Sequence, residues 1–129
     1  MIQVSKPDIS DLEKKYVNEA LDTGWISSQG PHIERFEKAW ADKNDMKYGV
    51  ATSSGTTALV VALKALGGGK GDEVIVPDFT MIATAWAVED VGATPVFVDC
   101  DNKLNIDVEL LEQYINIRTK VSEKIGKII

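Results

Sequence analysis

Residues 53–66 read Ser53-Ser-Gly-Thr-Thr-Ala-Leu-Val-Val-Ala-Leu-Lys-Ala-Leu66, and the fold turns on how this stretch is placed. A short apolar run, Tyr48-Gly-Val-Ala-Thr52, precedes it and predicts a strand. Two serines, a glycine and two threonines then lead into a helix that is apolar on nearly every side. At such a junction the first backbone N–H groups of the helix lack an intrahelical acceptor, and the helix dipole adds partial positive charge. The stretch therefore predicts an anion site, unless its hydroxyls serve only to cap a core helix.

The chain downstream supports a layered α/β reading. Gly67-Gly-Gly-Lys-Gly71 follows the helix and precedes the next strand. That order and the missing Gly-Lys-Ser/Thr ending exclude a phosphate loop and leave a helix stop and turn. Glu73-Val-Ile-Val-Pro77 and Pro95-Val-Phe-Val-Asp99 are continuously rather than alternately apolar, as strands of a parallel sheet are. Between them Thr80 to Val91 has a helical pattern ended by Gly92, and Asp107 is placed to cap a further helix through Leu110, Leu111, Tyr114 and Ile115. From Tyr48 to Asp99 the expected order is β-α-β-α-β. The expected class is α/β, a parallel-type sheet with helices on both faces in three layers.

Upstream, Asp8 to Thr23 reads as an amphipathic helix with Ile9, Leu12, Tyr16, Ala20 and Leu21 near one face, capped by Asp8 or Ser10 and stopped by Gly24. The loop Trp25-Ile-Ser-Ser-Gln-Gly-Pro31 is too rich in turn formers for a regular element. A second helix is expected over His32 to Lys43, with Phe36 and Trp40 as core candidates because Ile33, Phe36 and Trp40 recur at helical spacing. His32, beside Pro31 at that helix start, reads as an exposed surface imidazole rather than a catalytic one.

The 129 residues are enough for one domain with a buried core. Asp and Glu number 20 against 14 Lys and Arg, a net charge of −6. That balance argues against nucleic acid or an anionic membrane as the main partner, so a bound phosphate must be held locally. Cys100 has no second cysteine to pair with, and with His32 alone it predicts no metal centre. The N-terminus has no apolar core of signal-peptide length, and the most apolar region, 74–88, is broken by Pro77 and Asp78. The expected compartment is cytoplasmic.

A dinucleotide fold fails at the motif. Its Gly-x-Gly-x-x-Gly turn is replaced by Ser53-Ser-Gly-Thr-Thr57. One glycine permits close approach and the hydroxyls add donors, which suits a terminal phosphomonoester better than a pyrophosphate. Charge-assisted hydrogen bonds contribute about 1.5–3 kcal/mol each, so two or three such donors suffice for a dianion without a lysine.

Gly24-Trp-Ile-Ser-Ser28, Ser54-Gly-Thr-Thr-Ala-Leu59, Lys70-Gly-Asp-Glu-Val-Ile-Val-Pro77, Phe79-Thr-Met-Ile-Ala-Thr84 and Gly92-Ala-Thr-Pro-Val-Phe-Val-Asp99 follow one another in the order and spacing of a known family. From about Val4 to Lys120 the chain resembles the DegT/DnrJ/StrS sugar aminotransferases, most of all those of the GDP-perosamine synthase kind. The resemblance implies the large domain of a fold-type I, pyridoxal-phosphate-dependent enzyme, incomplete in this chain. It implies amino transfer from glutamate to the keto sugar of a nucleotide-sugar, and a homodimer. It puts the cofactor's phosphate on Gly55 and Thr56, with Ser54 as a neighbour, and gives Met81 the place of the family's usually aromatic residue over the cofactor ring. Phe79 is expected in the core. The loop around Trp25 and Ser28 corresponds to the family's active-site entrance and implies contact with the sugar nucleotide.

Pyridoxal chemistry also needs a lysine that joins the cofactor's aldehyde and then shuttles protons, and a carboxylate facing the ring nitrogen. In relatives both lie beyond the matched region. Lys64 and Lys70 fall in the helix and the following turn, and Lys120, Lys124 and Lys127 lie at or past the limit of resemblance. All read as surface charge, while Asp99 and Asp101 end a strand on the binding side without matching the ring-nitrogen partner. The catalytic residues thus stay unassigned. Residues 1–120 read as the N-terminal part of the cofactor-binding domain. Residues 121–129 depart from the family pattern as a basic tail, with Arg118 to Ile129 forming a polar helix or a frayed end, and the expectation is a truncated, split or frameshifted product. The alternative is a non-catalytic phosphate-binding or dimerisation module built on the same fold.

Overall fold

The computed structural model describes residues 5–122. The tail from 123 on, with Lys124 and Lys127, lies outside the described residues. The chain forms two compact units divided between Ala51 and Thr52.

The first unit is built on two helices. α1 spans Asp11–Thr23 and starts on a capping box: the Ser10 hydroxyl accepts the Leu12 N–H at 3.2 Å, and Glu13 Oε2 accepts the Ser10 N–H at 2.7 Å. Gly24 ends it in the left-handed region at φ 74°, where a side chain would be strained. α2 spans Pro31–Lys43 with proline in its first turn, where the missing N–H costs nothing. The helices meet at Tyr16. The Arg35 guanidinium lies 5.1 Å from the Tyr16 ring centre, and the His32 ring approaches edge-on at 6.0 Å. His32 is accordingly half-buried rather than the exposed imidazole expected.

Two further expectations fail in this unit. Tyr48 to Thr52 forms no strand. A strand needs a neighbour to complete its hydrogen bonds, and none of the described residues pairs with this segment. It runs along α2 instead: the Ala51 N–H donates to Glu37 Oε1 at 2.8 Å, and a Cβ on Gly49 would lie 2.3 Å from the Glu37 carbonyl oxygen. Nor are Phe36 and Trp40 core residues. They stack on each other with ring centres 6.1 Å apart but stay 54% and 56% exposed. Helical spacing reveals an apolar face and not what covers it.

The second unit has the α/β class expected. α3 (Gly55–Ala65), β1 (Glu73–Pro77), α4 (Ala83–Asp90), β2 (Thr94–Val98) and α5 (Val108–Ser122) follow in order. β1 and β2 pair in parallel from Glu73↔Thr94 to Pro77↔Val98, and α4 is the crossover a parallel pair requires. Bonds beyond both ends extend the ladder: Thr94 N–H to the Asp72 carbonyl at 2.9 Å and Asp78 N–H to the Val98 carbonyl at 3.0 Å. The core forms where α4 packs on the strands. Val76, Val88 and Ala93 are buried, with Leu63, Val74 and Val91 against them. Each buried valine contributes about 1.5–3 kcal/mol.

α4 comes this close because its buried face is small, with Ala85 and Ala87 beside Val88. Asp107 caps α5 as expected, accepting the Glu109 N–H at 2.9 Å and the Leu110 N–H at 3.1 Å. The Tyr114 hydroxyl, on α5, donates to Glu73 Oε2 on β1 at 3.1 Å. The backbone of 118–122 continues this helix.

Candidate functional site

The start of α3 divides its polar residues between two tasks. Ser54, extended at φ −161° and ψ 166°, is the cap. Its hydroxyl accepts the Thr57 N–H at 3.2 Å, and the Thr57 hydroxyl accepts the Ser54 N–H at 3.0 Å. Thr52 Oγ1 donates to the Ser54 carbonyl at 3.0 Å and tightens the approach. Ser54 and Thr57 thereby satisfy one another. The N–H groups of Gly55 and Thr56, and the Thr56 hydroxyl, have no partner among the described residues.

Two further features keep this end open to an anion. The first turn of α3 holds no acidic side chain, and its one basic residue, Lys64, is in the last turn at the opposite end. An added Cβ on Gly55 would meet nothing within 4 Å. Glycine here clears space beside its own N–H group, while the dipole supplies charge without an ammonium.

Met81 lies in the second unit too, in the segment between β1 and α4 that leaves the carboxyl end of β1. In open α/β sheets, ligands bind at the carboxyl ends of strands. Met81 is 75% exposed, with its thioether uncommitted to the core. Phe79, expected in the core, lies beyond the end of β1 and is 62% exposed. Lys70 is exposed in the turn before β1.

One constellation was missed by sequence reasoning. Asp78, Asp99 and Cys100 bring a carboxylate oxygen, a second carboxylate oxygen and a thiol within 4.8 Å of one another. The Cys100 N–H donates to Asp99 Oδ1 at 2.8 Å. Burial pushes the Cys100 thiol above its ordinary pKa, and the carboxylates of Asp78 and Asp99, then Asp101, add to this. The available signal was the parallel register: once Pro77 pairs with Val98, residues 78 and 99 leave the sheet side by side.

Trp25 and Ser28 belong to the first unit. The turn that carries them is held by Ser27, whose hydroxyl accepts the Gln29 N–H at 3.2 Å and donates to the Gln29 carbonyl at 3.0 Å. Trp25 is half-exposed and Ser28 exposed. A cavity of about 180 Å³ opens beside Trp25, reaching Ser27, Gln29 and His32. Among the described residues, no helix is long and apolar enough to cross a membrane.

Residues 7–123 match the DegT/DnrJ/EryC1/StrS aminotransferase family. The chain is 48% identical over 120 residues to the GDP-perosamine synthase of Escherichia coli O157:H7, covering 92% of this chain and 33% of that protein. It is 51% identical over 120 residues to the GDP-perosamine synthase of Caulobacter vibrioides, covering 92% of this chain and 32% of that one. Among solved structures, the PLP form of Spr1654 from Streptococcus pneumoniae, described as a sugar aminotransferase, superposes with a TM-score of 0.80 at 39% identity, over 87% of this chain and 29% of that one. The chain thus spans about a third of the length of these relatives.

Proposed function

This chain belongs to the DegT/DnrJ/EryC1/StrS aminotransferase family, and on that premise we propose that it is part of an enzyme that moves an amino group from glutamate to the keto sugar of a nucleotide-sugar, with pyridoxal phosphate as cofactor. The observation that carries the proposal is the free donor set of Gly55 and Thr56 at the start of α3. A phosphate monoester dianion fits it, because these donors are unspent, the dipole is favourable and the first turn of α3 holds no carboxylate.

When bound, pyridoxal phosphate supplies an electron-withdrawing ring that acidifies the carbon bearing the amino group. In this reading the N–H groups of Gly55 and Thr56, with the Thr56 hydroxyl, hold the phosphate, and Ser54 keeps those donors aimed by capping the helix. Met81 packs on the ring by dispersion, which a polarisable thioether does without an aromatic face. Trp25 and Ser28 take part in binding the sugar nucleotide. No residue of this chain is assigned the covalent or proton-shuttling role, nor the contact to the ring nitrogen. Residues 1–120 serve as the N-terminal part of the cofactor-binding domain, with 121–129 as a tail, in a cytoplasmic homodimer.

The test compares pyridoxal phosphate with pyridoxal, which lacks the phosphate, by titration against the full chain. Pyridoxal phosphate binds more tightly, inorganic phosphate competes with it, and Thr56→Val weakens it. Equal binding of the two ligands would sink the phosphate assignment.

A further inference from the structure

Of the two methionines among the described residues, Met81 is the more open, 75% exposed against 65% for Met46. Its backbone is nevertheless held. The Met81 carbonyl accepts the Thr84 N–H at 3.0 Å, and the hydroxyls of Thr80 and Thr84 share a hydrogen bond of 3.1 Å. The side chain therefore leaves a fixed turn between β1 and α4, and α4 packs against α3. The other sulfur of this unit is less reactive. Cys100 is half-buried and its thiol is held protonated, whereas the thiolate is the form that a peroxide oxidises. A thioether has no proton to lose, so exposure governs its oxidation.

We propose that Met81 is an oxidation site, through which a peroxide weakens cofactor binding and from which a methionine sulfoxide reductase restores it. The thioether sulfur attacks one oxygen of hydrogen peroxide. The S–O bond forms as the O–O bond breaks, and the sulfur gives up two electrons. The proton of the transferred oxygen passes to the departing hydroxide, which leaves as water. The sulfoxide is polar and chiral where the thioether was apolar. It gives up the dispersion contact with the cofactor ring and leaves the phosphate donors at the start of α3 as they were. The proposal rests on the pyridoxal-phosphate reading above and adds a regulation of that site.

The full chain is treated with hydrogen peroxide, mapped by mass spectrometry and titrated with pyridoxal phosphate and with inorganic phosphate. Met81 gains one oxygen, the Kd for pyridoxal phosphate rises at least about threefold, and inorganic phosphate binds as before. Methionine sulfoxide reductase returns the Kd to its starting value. Met81→Leu has a Kd that peroxide does not move, while Met46→Leu keeps the response of the parent. Three results overturn the proposal and leave the pyridoxal-phosphate reading standing. They are a Met81 left unoxidised at a peroxide dose that converts Met46, a Kd unmoved by the Met81 sulfoxide, and a peroxide-dependent loss of affinity that persists in Met81→Leu. Absence of pyridoxal phosphate binding to the untreated chain overturns both.

Discussion

Ser54 and Thr57 satisfy each other across the first turn of α3, the hydroxyl of each accepting the backbone N–H of the other at 3.2 Å and 3.0 Å. This reciprocal cap uses up the outer hydroxyls and leaves the N–H groups of Gly55 and Thr56 as the donors that face outward. Ser54→Ala removes the cap and costs about 1 kcal/mol of stability, read by urea unfolding. Because the cap aims the donors, pyridoxal phosphate binding weakens as well. Unfolding midpoints identical to the parent would show that the cap contributes nothing.

A carboxylate at the first helical position separates stability from ligand binding. Gly55→Asp has room for its side chain and meets the helix dipole favourably, so stability changes by less than about 1 kcal/mol. The same charge repels a phosphate dianion, and affinity for pyridoxal phosphate falls at least about tenfold, a loss of ~1.4 kcal/mol. Titration of the folded variant with pyridoxal phosphate checks this; undiminished affinity would place the phosphate elsewhere.

Gly49 is held in place by contact rather than by conformation. Its would-be Cβ lies 2.3 Å from the Glu37 carbonyl oxygen, and that carbonyl belongs to α2 and cannot swing away. Gly49→Ala therefore costs about 1–3 kcal/mol, seen as a lowered midpoint in the thermal melt followed by far-ultraviolet circular dichroism. A melt that does not move would mean that the 48–51 segment is free to leave α2.

Glu13 gives α1 a dependence on acid. Hydrogen bonding from the Ser10 side chain, then from the backbone of residues 13 and 10, lowers its pKa below the usual carboxylate range. A depressed folded-state value stabilises above the unfolded pKa, and that contribution is lost as the pH falls through the folded one. Helicity at 222 nm in the parent should therefore drop over a pH window below the ordinary glutamate value that Glu13→Gln lacks. Superimposable acid titrations of the two would remove Glu13 from the cap.

The Cys100 thiol is held protonated by burial first and by the carboxylates of Asp78, Asp99 and Asp101 next. Only the thiolate alkylates, so iodoacetamide should modify Cys100 with a midpoint above the ordinary cysteine pKa. Asp78→Asn, which removes one facing charge, moves that midpoint down. A midpoint unaffected by Asp78→Asn would remove Asp78 from the causes and leave burial with Asp99 and Asp101.

What the amino-acid sequence determined by itself was local. Apolar runs at 73–77 and 95–99 marked strands, hydroxyls at 53–57 marked a helix start, and Asp107 and Gly24 marked a helix start and a helix end, because short-range hydrogen bonding and backbone sterics decide each. The motifs sufficed for the family. Pairing and covering were decided only in three dimensions. Tyr48 to Thr52 has strand character and no ladder, Phe36 and Trp40 have helical spacing and no cover, and Phe79 follows a strand end into solvent. Asp78 and Cys100, 22 positions apart, meet at the carboxyl ends of β1 and β2 through the parallel register alone. At the α3 start, legible as an anion site, the hydrogen-bond geometry adds that Ser54 and Thr57 are spent on each other as the cap. A chain of residues names the donors available; which of them are already spent depends on distances that sequence spacing does not contain.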